Sequence, residues 1–407
     1  MKTRSASKAK PAAPSRGRRG ADSHFMAAGA VFVVGFLWRV SLAFTCRAIP
    51  DFSDMAEYNY LAVEGVFNSH RPPLYPLFLR GVYALSGARQ YTTVFVVQSV
   101  VSSLLIIVMY WTVSRMWNKR AGIIAAALCA LYPNFLLYNL TTLTESFGVA
   151  IVVAMMGVAA SRASDRRKAI AQGVVMGLGM LLKPAFLFFV PGLLIALKKR
   201  LVFAATLAFV LSPWILYNAM HEHKLILVSD TGAVNFYMSY NPEAKGGFVA
   251  IENWENISQL DYLKRGLDFI RRHKLRTVEI IHAKIFVLFE LGWDRHVFRD
   301  IVPGTWAVYA AMYGYLGMFV FGFIGLVRRF RKAHAPLVYP LLSYVLLLIL
   351  LSIFVVRFRS LYEPLLIAYT GILFAGAADT RFDSVSPPRS ARRAGRRRWR
   401  FAVSGRA

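Results

Sequence analysis

The chain has 407 residues, of which 57% are hydrophobic and 17% charged, with a net charge of +28 and a mean hydropathy of +0.46. A soluble domain of this length does not carry its apolar residues in long, nearly uncharged runs such as 27–37, 94–108 and 341–356; a helix needs about 18 or more such residues to cross a ~30 Å hydrocarbon core. Backbone groups must be satisfied inside that core and nothing alternates like an outer-membrane barrel, so the sequence predicts an all-α polytopic membrane protein.

Residues 1–23 form a basic polar tail too poor in apolar residues to fold. The first span runs over 24–45. It lacks a small-x-small cleavage site and is expected to be an uncleaved anchor. Arg39 near its outer end is placed to snorkel towards the interface. Residues 46–90 are a first extracytoplasmic loop, rich in carboxylates (Asp51, Asp54, Glu57 and Glu64), with two amphipathic pieces. Spans follow at 91–114, 121–138 and 146–160.

The segment 169–197 is broken by Lys183-Pro184. As one helix it would measure about 43 Å, which overshoots the bilayer, whereas two short helices meeting at the break would need a protein-lined or wet pocket at the turn. Parity favours two, because only then do the later basic clusters return to the side of the first. The remaining spans are 201–217, 302–327, 335–356 and 361–376, about ten in a transmembrane domain of 24–376. A long extracytoplasmic loop, 218–300, carries a surface helix over 261–289, and 377–407 is a second basic tail. No internal repeat is visible, which argues against transporters built from duplicated halves.

On this topology 30 of the 49 Lys and Arg residues lie on the side of the tails and 18 on the other face, with Arg39 inside a span; the acidic residues divide 4 to 17 in the opposite sense. Lys/Arg bias in short loops sets orientation, so both termini are expected in the cytoplasm of an inner (plasma) membrane protein. Most of the +28 is then orientation signal and attraction to anionic membrane lipids. Nucleic acid is not an expected partner, since the basic tails lack interleaved aromatics.

Two cysteines, Cys46 and Cys129, fit no metal or disulfide framework. His70, His221, His223, His282 and His296 show no convergent ligand spacing and read as surface residues. Asn139-Leu-Thr141 and Asn256-Ile-Ser258 match a glycosylation sequon that occurs often by chance.

The topology gathers Asp54, Glu57, Arg71, Glu145, Lys183 and Arg357-Phe-Arg359 on the outer face. Carboxylates facing cations suit a reaction that moves a group off a phosphate: the cations hold the leaving phosphate and a carboxylate takes the attacking hydroxyl's proton. Each residue also has a structural reading. Asp54 and Glu57 are spaced as an N-cap and its capping-box partner, and Arg71 before Pro-Pro belongs to a stiff, extended turn. Lys183, Arg357 and Arg359 are span-end charges that snorkel or flank, and Glu145 is a buried partner for a cation.

The wording and order of these pieces resemble the GT-C glycosyltransferases, in particular the branch of protein O-mannosyltransferases and aminoarabinose transferases that uses polyprenyl-phosphate sugars. The likeness rests on Asp54 with Tyr58 and Leu61-Ala62, then Arg71-Pro72-Pro73-Leu-Tyr-Pro76-Leu-Phe-Leu79 and Ser86-Gly87. It continues with Tyr132-Pro133, Thr144-Glu145, Gly177-Leu-Gly179-Met-Leu-Leu-Lys183-Pro184, Ser212-Pro213-Trp214 and Arg357-Phe-Arg359-Ser-Leu-Tyr362-Glu-Pro364-Leu-Leu366. The resemblance implies an inverting transfer from a polyprenyl-phosphate sugar to a glycan, lipid or protein acceptor, with Asp54 as base. Glu57 and Glu145 would be second carboxylates or acceptor-orienting groups; Arg71, Lys183, Arg357 and Arg359 would meet the donor phosphate. Where that branch has an Asp-Glu pair, this chain has Asp54-Met55. No metal ion is expected to be obligatory, although a divalent ion is compatible. Two other classes fit the same placement: a flippase of lipid-linked sugars, indifferent to Asp54→Asn, and a polysaccharide ligase or polymerase leaning on basic residues of the long loop.

Overall fold

A computed structural model of the chain describes residues 16–45, 54–251, 257–290 and 306–376. Residues 1–15 of the first basic tail and all of the second, together with Cys46, Asp51, Asn256 and His296, lie outside the described residues. Among the described residues the regular structure is entirely helical. Five helices among the described residues are long and apolar enough to cross a membrane: His24–Thr45, Tyr91–Met116, Arg200–His221, Tyr309–Arg329 and Lys332–Leu351. Shorter apolar helices, Glu145–Ala160, Pro184–Ala196 and Glu363–Phe374, stand among them. Apolar side chains cover the outside as well as the core; Val34, Leu37 and Phe44 on the first helix and Phe209 and Leu216 on the third of the five face outwards. A surface of that kind belongs in lipid, and the protein is a multi-pass membrane protein.

In chain order the first half consists of α1 (Arg16–Thr45), α2 (Asp54–Glu64), α3 (Leu74–Ser86), α4 (Tyr91–Met116), α5 (Lys119–Leu131), α6 (Pro133–Tyr138), α7 (Glu145–Ala160) and α8 (Asp165–Leu182). α1 begins about two turns ahead of the apolar stretch. A 3-10 turn, Pro184–Phe189, leads into α9 (Val190–Ala196) and α10 (Arg200–His221). Asn118 and Ser164 cap α5 and α8, each side-chain oxygen accepting from a backbone N–H three residues on. Pro133 starts α6 and splits the span expected at 121–138, because proline cannot donate into a continuing helix.

The break at Lys183-Pro184 is present, and the chain doubles back there. Lys198 Nζ lies 3.2 Å from Asp165 Oδ2, so the chain has returned to the end of the bundle where α8 began. The basic turns collect at that end. Arg331 stacks over Trp117, whose indole N–H donates to the Gly376 carbonyl, and Lys168 donates to the carbonyl of Ala159. α9 approaches α15 (Ala335–Leu351) closely enough that a Cβ on Gly192 would stand 2.3 Å from the Tyr339 carbonyl oxygen.

Arg39 does not snorkel. It is buried and donates to the carbonyls of Gly35, Ala130 and Cys129, the last two at the C-terminal end of α5, where helix carbonyls lack intrahelical partners.

The long loop holds α11 (Gly232–Ser239), α12 (Gln259–Arg272) and α13 (Lys274–Phe289). The single helix expected over 261–289 is therefore two, broken at His273. Both halves pack beside α11: α12 sets Tyr262, Gly266 and Phe269 against its aromatic residues, and α13 adds Ile280 to the cluster of Phe236, Tyr240 and Phe269 while Lys284 reaches the Ile349 carbonyl at the end of α15. The chain closes with α14 (Trp306–Arg329), α15, a 3-10 turn Val356–Leu361 and α16 (Glu363–Phe374).

Candidate active site

At the end of the bundle opposite the basic turns, the two loops and the helix ends enclose a cavity of about 1230 Å³. Its polar floor is made by residues from four separate elements. α2 supplies Asp54 and Glu57. The helix is fixed by buried Asn59, whose amide donates to Thr142 Oγ1 at 3.0 Å and whose carbonyl oxygen accepts from Tyr83. Arg71 is aimed by the turn before Pro72-Pro73: its backbone N–H donates to Asn68 Oδ1 at 2.9 Å. Lys183 stands at the break after α8, and Arg357 in the 3-10 turn before α16.

These groups form an alternating chain of charge. Glu57 accepts from Arg71 Nε at 2.6 Å, and Arg71 Nη2 donates to Asp54 Oδ1 at 2.6 Å. The other oxygen of Asp54 accepts from Arg357 Nη2. Arg357 Nε lies 3.8 Å from Glu145 Oε1, which also accepts from Lys183 Nζ at 2.7 Å. Neither Asp54 nor Glu57 spends its carboxylate on capping its own helix. Burial alone would raise the pKa of Asp54, but Arg357 and Arg71 outweigh it and hold the carboxyl well below its usual range. Burial likewise opposes charge on Arg71 and Arg357, and Asp54 outweighs it, so both guanidinium groups are held more firmly protonated than usual. Lys183 also lies 4.6 Å from the Phe358 ring centroid, a cation–π contact. Glu145 is fully buried, and its Oε2 has no hydrogen-bond partner among the described residues.

Arg359 stands apart from this chain. It is buried beside Glu363, with its guanidinium over the Tyr315 ring and donating to the Glu290 carbonyl, and it does not line the cavity. A 3-10 turn advances about 120° per residue, so positions two apart point to different sides.

His70, expected from the sequence to be a surface residue, joins the lining and is held there by Asp230. His70 Nδ1 lies 2.7 Å from Asp230 Oδ1, and Ser69 Oγ donates to Asp230 Oδ2 at 2.7 Å. Their separation of 160 residues leaves no spacing signal. Above the floor the walls turn apolar, with Leu187, Phe188, Phe248, Leu263, Leu267 and Ile353. Among the described residues no group of three His, Cys, Asp or Glu side chains converges as a metal site.

Residues 70–220 match the family model of dolichyl-phosphate-mannose-protein mannosyltransferases. The match takes in Arg71, Glu145 and Lys183 and stops short of Asp54 and Arg357. No curated protein gives a significant sequence match. Among solved structures, the chain is similar to the oligosaccharyltransferase of Archaeoglobus fulgidus in its apo form at 14% identity, with a TM-score of 0.49, over 91% of this chain and 52% of that one. It thus spans about half the length of that protein. It is also similar to ArnT from Cupriavidus metallidurans, at 15% identity and a TM-score of 0.46 in the apo state, over 93% and 62% of the two chains. For ArnT bound to undecaprenyl phosphate the values are 13% and 0.41, over 86% and 76%. By its match over residues 70–220 and the order of its motifs, the chain resembles the GT-C glycosyltransferases of the dolichyl-phosphate-mannose-protein mannosyltransferase kind.

Proposed function

We propose that the protein transfers a sugar from a polyprenyl-phosphate donor to a hydroxyl acceptor at the extracytoplasmic face of the inner membrane, with inversion at the anomeric carbon. The observation that carries this reading is the Glu57–Arg71–Asp54–Arg357–Glu145–Lys183 chain on the floor of a cavity with apolar walls. The apolar walls suit a prenyl chain. The three cations suit the phosphate, and the negative charge that grows on it as the glycosidic bond breaks is stabilised there. Three cations supply that stabilisation without an obligatory metal ion. With the basic turns in the cytoplasm under the positive-inside rule, the cavity faces outwards.

Asp54 is the base. Both of its oxygens are tied to guanidinium groups, which makes it a weak one. A donor phosphate competes for Arg357 and Arg71, loosens those pairs and restores basicity as the donor arrives. The acceptor is a glycan, a lipid or a protein hydroxyl. Radiolabelled polyprenyl-phosphate sugars offered to the liposome-reconstituted protein test the reading. Sugar release by the wild type and its loss in Asp54→Asn are expected; equal release from both would overturn it.

A further inference from the structure

We propose that α13 is the membrane anchor of the long loop, half-sunk in the bilayer, and that the cations at its upper end bind the phosphate groups of anionic phospholipids in the leaflet nearest the cavity. The anchor is the same whatever group the cavity transfers.

The partners of α13 change along its length. In its first turn Arg276 Nη2 donates to the Ala244 carbonyl of the long loop at 3.0 Å. Two turns on, Lys284 meets Ile349, two residues from the cavity end of α15. In the last turn the Leu288 carbonyl accepts from Tyr315 of α14, and the Phe289 ring centroid lies 4.9 Å from that of Phe319. Phe319 stands at the midpoint of the membrane-crossing stretch Tyr309–Arg329. Sixteen helical residues cover about 24 Å, so α13 descends from the loop and ends beside the middle of a span. Ile281, Val287 and Leu288 on its inner side pack against the main core of the bundle.

Its other side is apolar as well. Leu275, Val278, Ile285, Phe286 and Phe289 recur at helical spacing and are exposed, Leu275 by 83% and Phe286 by 60%. His282 interrupts the stripe, with its ring set edge-on to Phe286 at 4.6 Å. An apolar stripe that runs down to the midpoint of a span faces acyl chains rather than water.

The charge at the upper end suits a headgroup. Between positions 259 and 279, six exposed Lys and Arg residues stand against three carboxylates. Arg276 is paired with Glu279 at 2.8 Å, and Lys264 lies 3.9 Å from Asp261. Arg271, Arg272 and Lys274 form no ion pair among the described residues. These three flank the joint at His273, at the end of α13 remote from the middle of the span. Lys274 and Arg276 open α13, where cations oppose the helix dipole, so helix stability does not account for them. Lipid phosphates do: basic side chains above an apolar stripe are the pattern of a helix seated in an anionic interface. On the other side of the joint α12 lines the cavity with Leu263 and Leu267, and a lipid held at the joint steadies that wall.

Spin labels on the full-length protein test this in nanodiscs of phosphatidylcholine, with or without phosphatidylglycerol. Cys46→Ala and Cys129→Ala leave one introduced cysteine at a time, from Phe286→Cys, Leu275→Cys or, as the aqueous reference, Lys264→Cys. Collisions are measured with oxygen, which concentrates in the bilayer, and with a neutral nickel chelate, which stays in water. The label at 286 is expected to meet oxygen several-fold more than nickel, and the label at 264 the reverse. Equal nickel access at 286 and 264 would put α13 in water and overturn the anchor. Dipolar broadening between labels at 286 would overturn it too, since a second copy would then cover the stripe. Phosphatidylglycerol is expected to cut nickel access at 275 several-fold, and high salt to restore it. With Arg271→Gln, Arg272→Gln and Lys274→Gln combined, that response should vanish while the label at 286 keeps its oxygen access. The same response in the triple variant, or none without it, overturns the phospholipid site.

Discussion

Asp54 and Arg357 are 303 residues apart in sequence and share a direct ion pair in the cavity floor. The pair joins the first loop to the last turn before α16, so on the proposed reading donor binding and the placement of the carboxylate are one event.

Removing the carboxylate charge tests the chemistry. Asp54→Asn keeps the shape and is expected to lower turnover on the order of 10²–10⁴-fold, the range for a positioned general base. Undecaprenyl phosphate should still bind, because Arg71, Arg357 and Lys183 remain.

Acid should weaken the fold through the same residue. Asp54 is more acidic folded than unfolded, so its pairs contribute stability that is complete above its unfolded value of about 3.9 and drains away as pH falls below it. The apparent Tm in detergent should fall as pH is taken through that region, and the fall should be shallower in Asp54→Asn.

Glu145 and Lys183 are predicted to be coupled. Glu145→Ala strands a buried ammonium group at a cost of about 3–5 kcal/mol, whereas replacing both partners by apolar residues is far milder. Thermal melting of Glu145→Ala, Lys183→Met and the double variant should show the double variant more stable than the first. Donor binding should stay impaired in it.

Lys284 on α13 is buried, donates to the Ile349 carbonyl at 3.0 Å and lies over the Tyr240 ring; burial pushes its pKa down to about 7. Between that value and its unfolded value of about 10.4 the unfolded chain binds the extra proton, so stability rises with pH across the interval. The apparent Tm should climb from neutral to alkaline pH in the wild type. Lys284→Met should flatten that slope.

Arg357 and Arg359 should separate in their effects. Arg357→Met is expected to weaken undecaprenyl phosphate binding. Arg359→Met should leave that binding intact and lower the apparent Tm, since it strands Glu363, which is 1% exposed.

The same two arginines mark how far sequence reasoning reaches. Hydropathy and loop charge place Asp54, Arg71, Lys183 and Arg357 at one end of the bundle, because span count and parity decide which end a residue occupies. They also expose the break at Lys183-Pro184, where an apolar run is too long for one span. Neither carries rotational information, so Arg359, with the same charge two residues on, looked equivalent and is not. Arg39 is a related case: its charge suggested an interface, and unpaired carbonyls at the end of α5 supplied one indoors. The His70–Asp230 pair joins two loops of irregular backbone, where no period constrains which residues meet. The helix expected over 261–289 came out as two, broken at His273 so that Phe269 before the break and Ile280 after it share one buried cluster, a tertiary demand invisible in its own composition.

The hairpin that turns at Lys183 has legs of unequal reach. α8 rises about 27 Å, and the return through the 3-10 turn and α9 covers only about 22 Å, against a hydrocarbon core of ~30 Å. On the proposed reading, legs this short hold the ammonium group at the tip below the outer headgroup plane, and the donor phosphate is drawn down to meet it. Acyl-chain length then becomes a determinant of rate: thicker bilayers deepen the descent and slow it, and thinner ones shorten it.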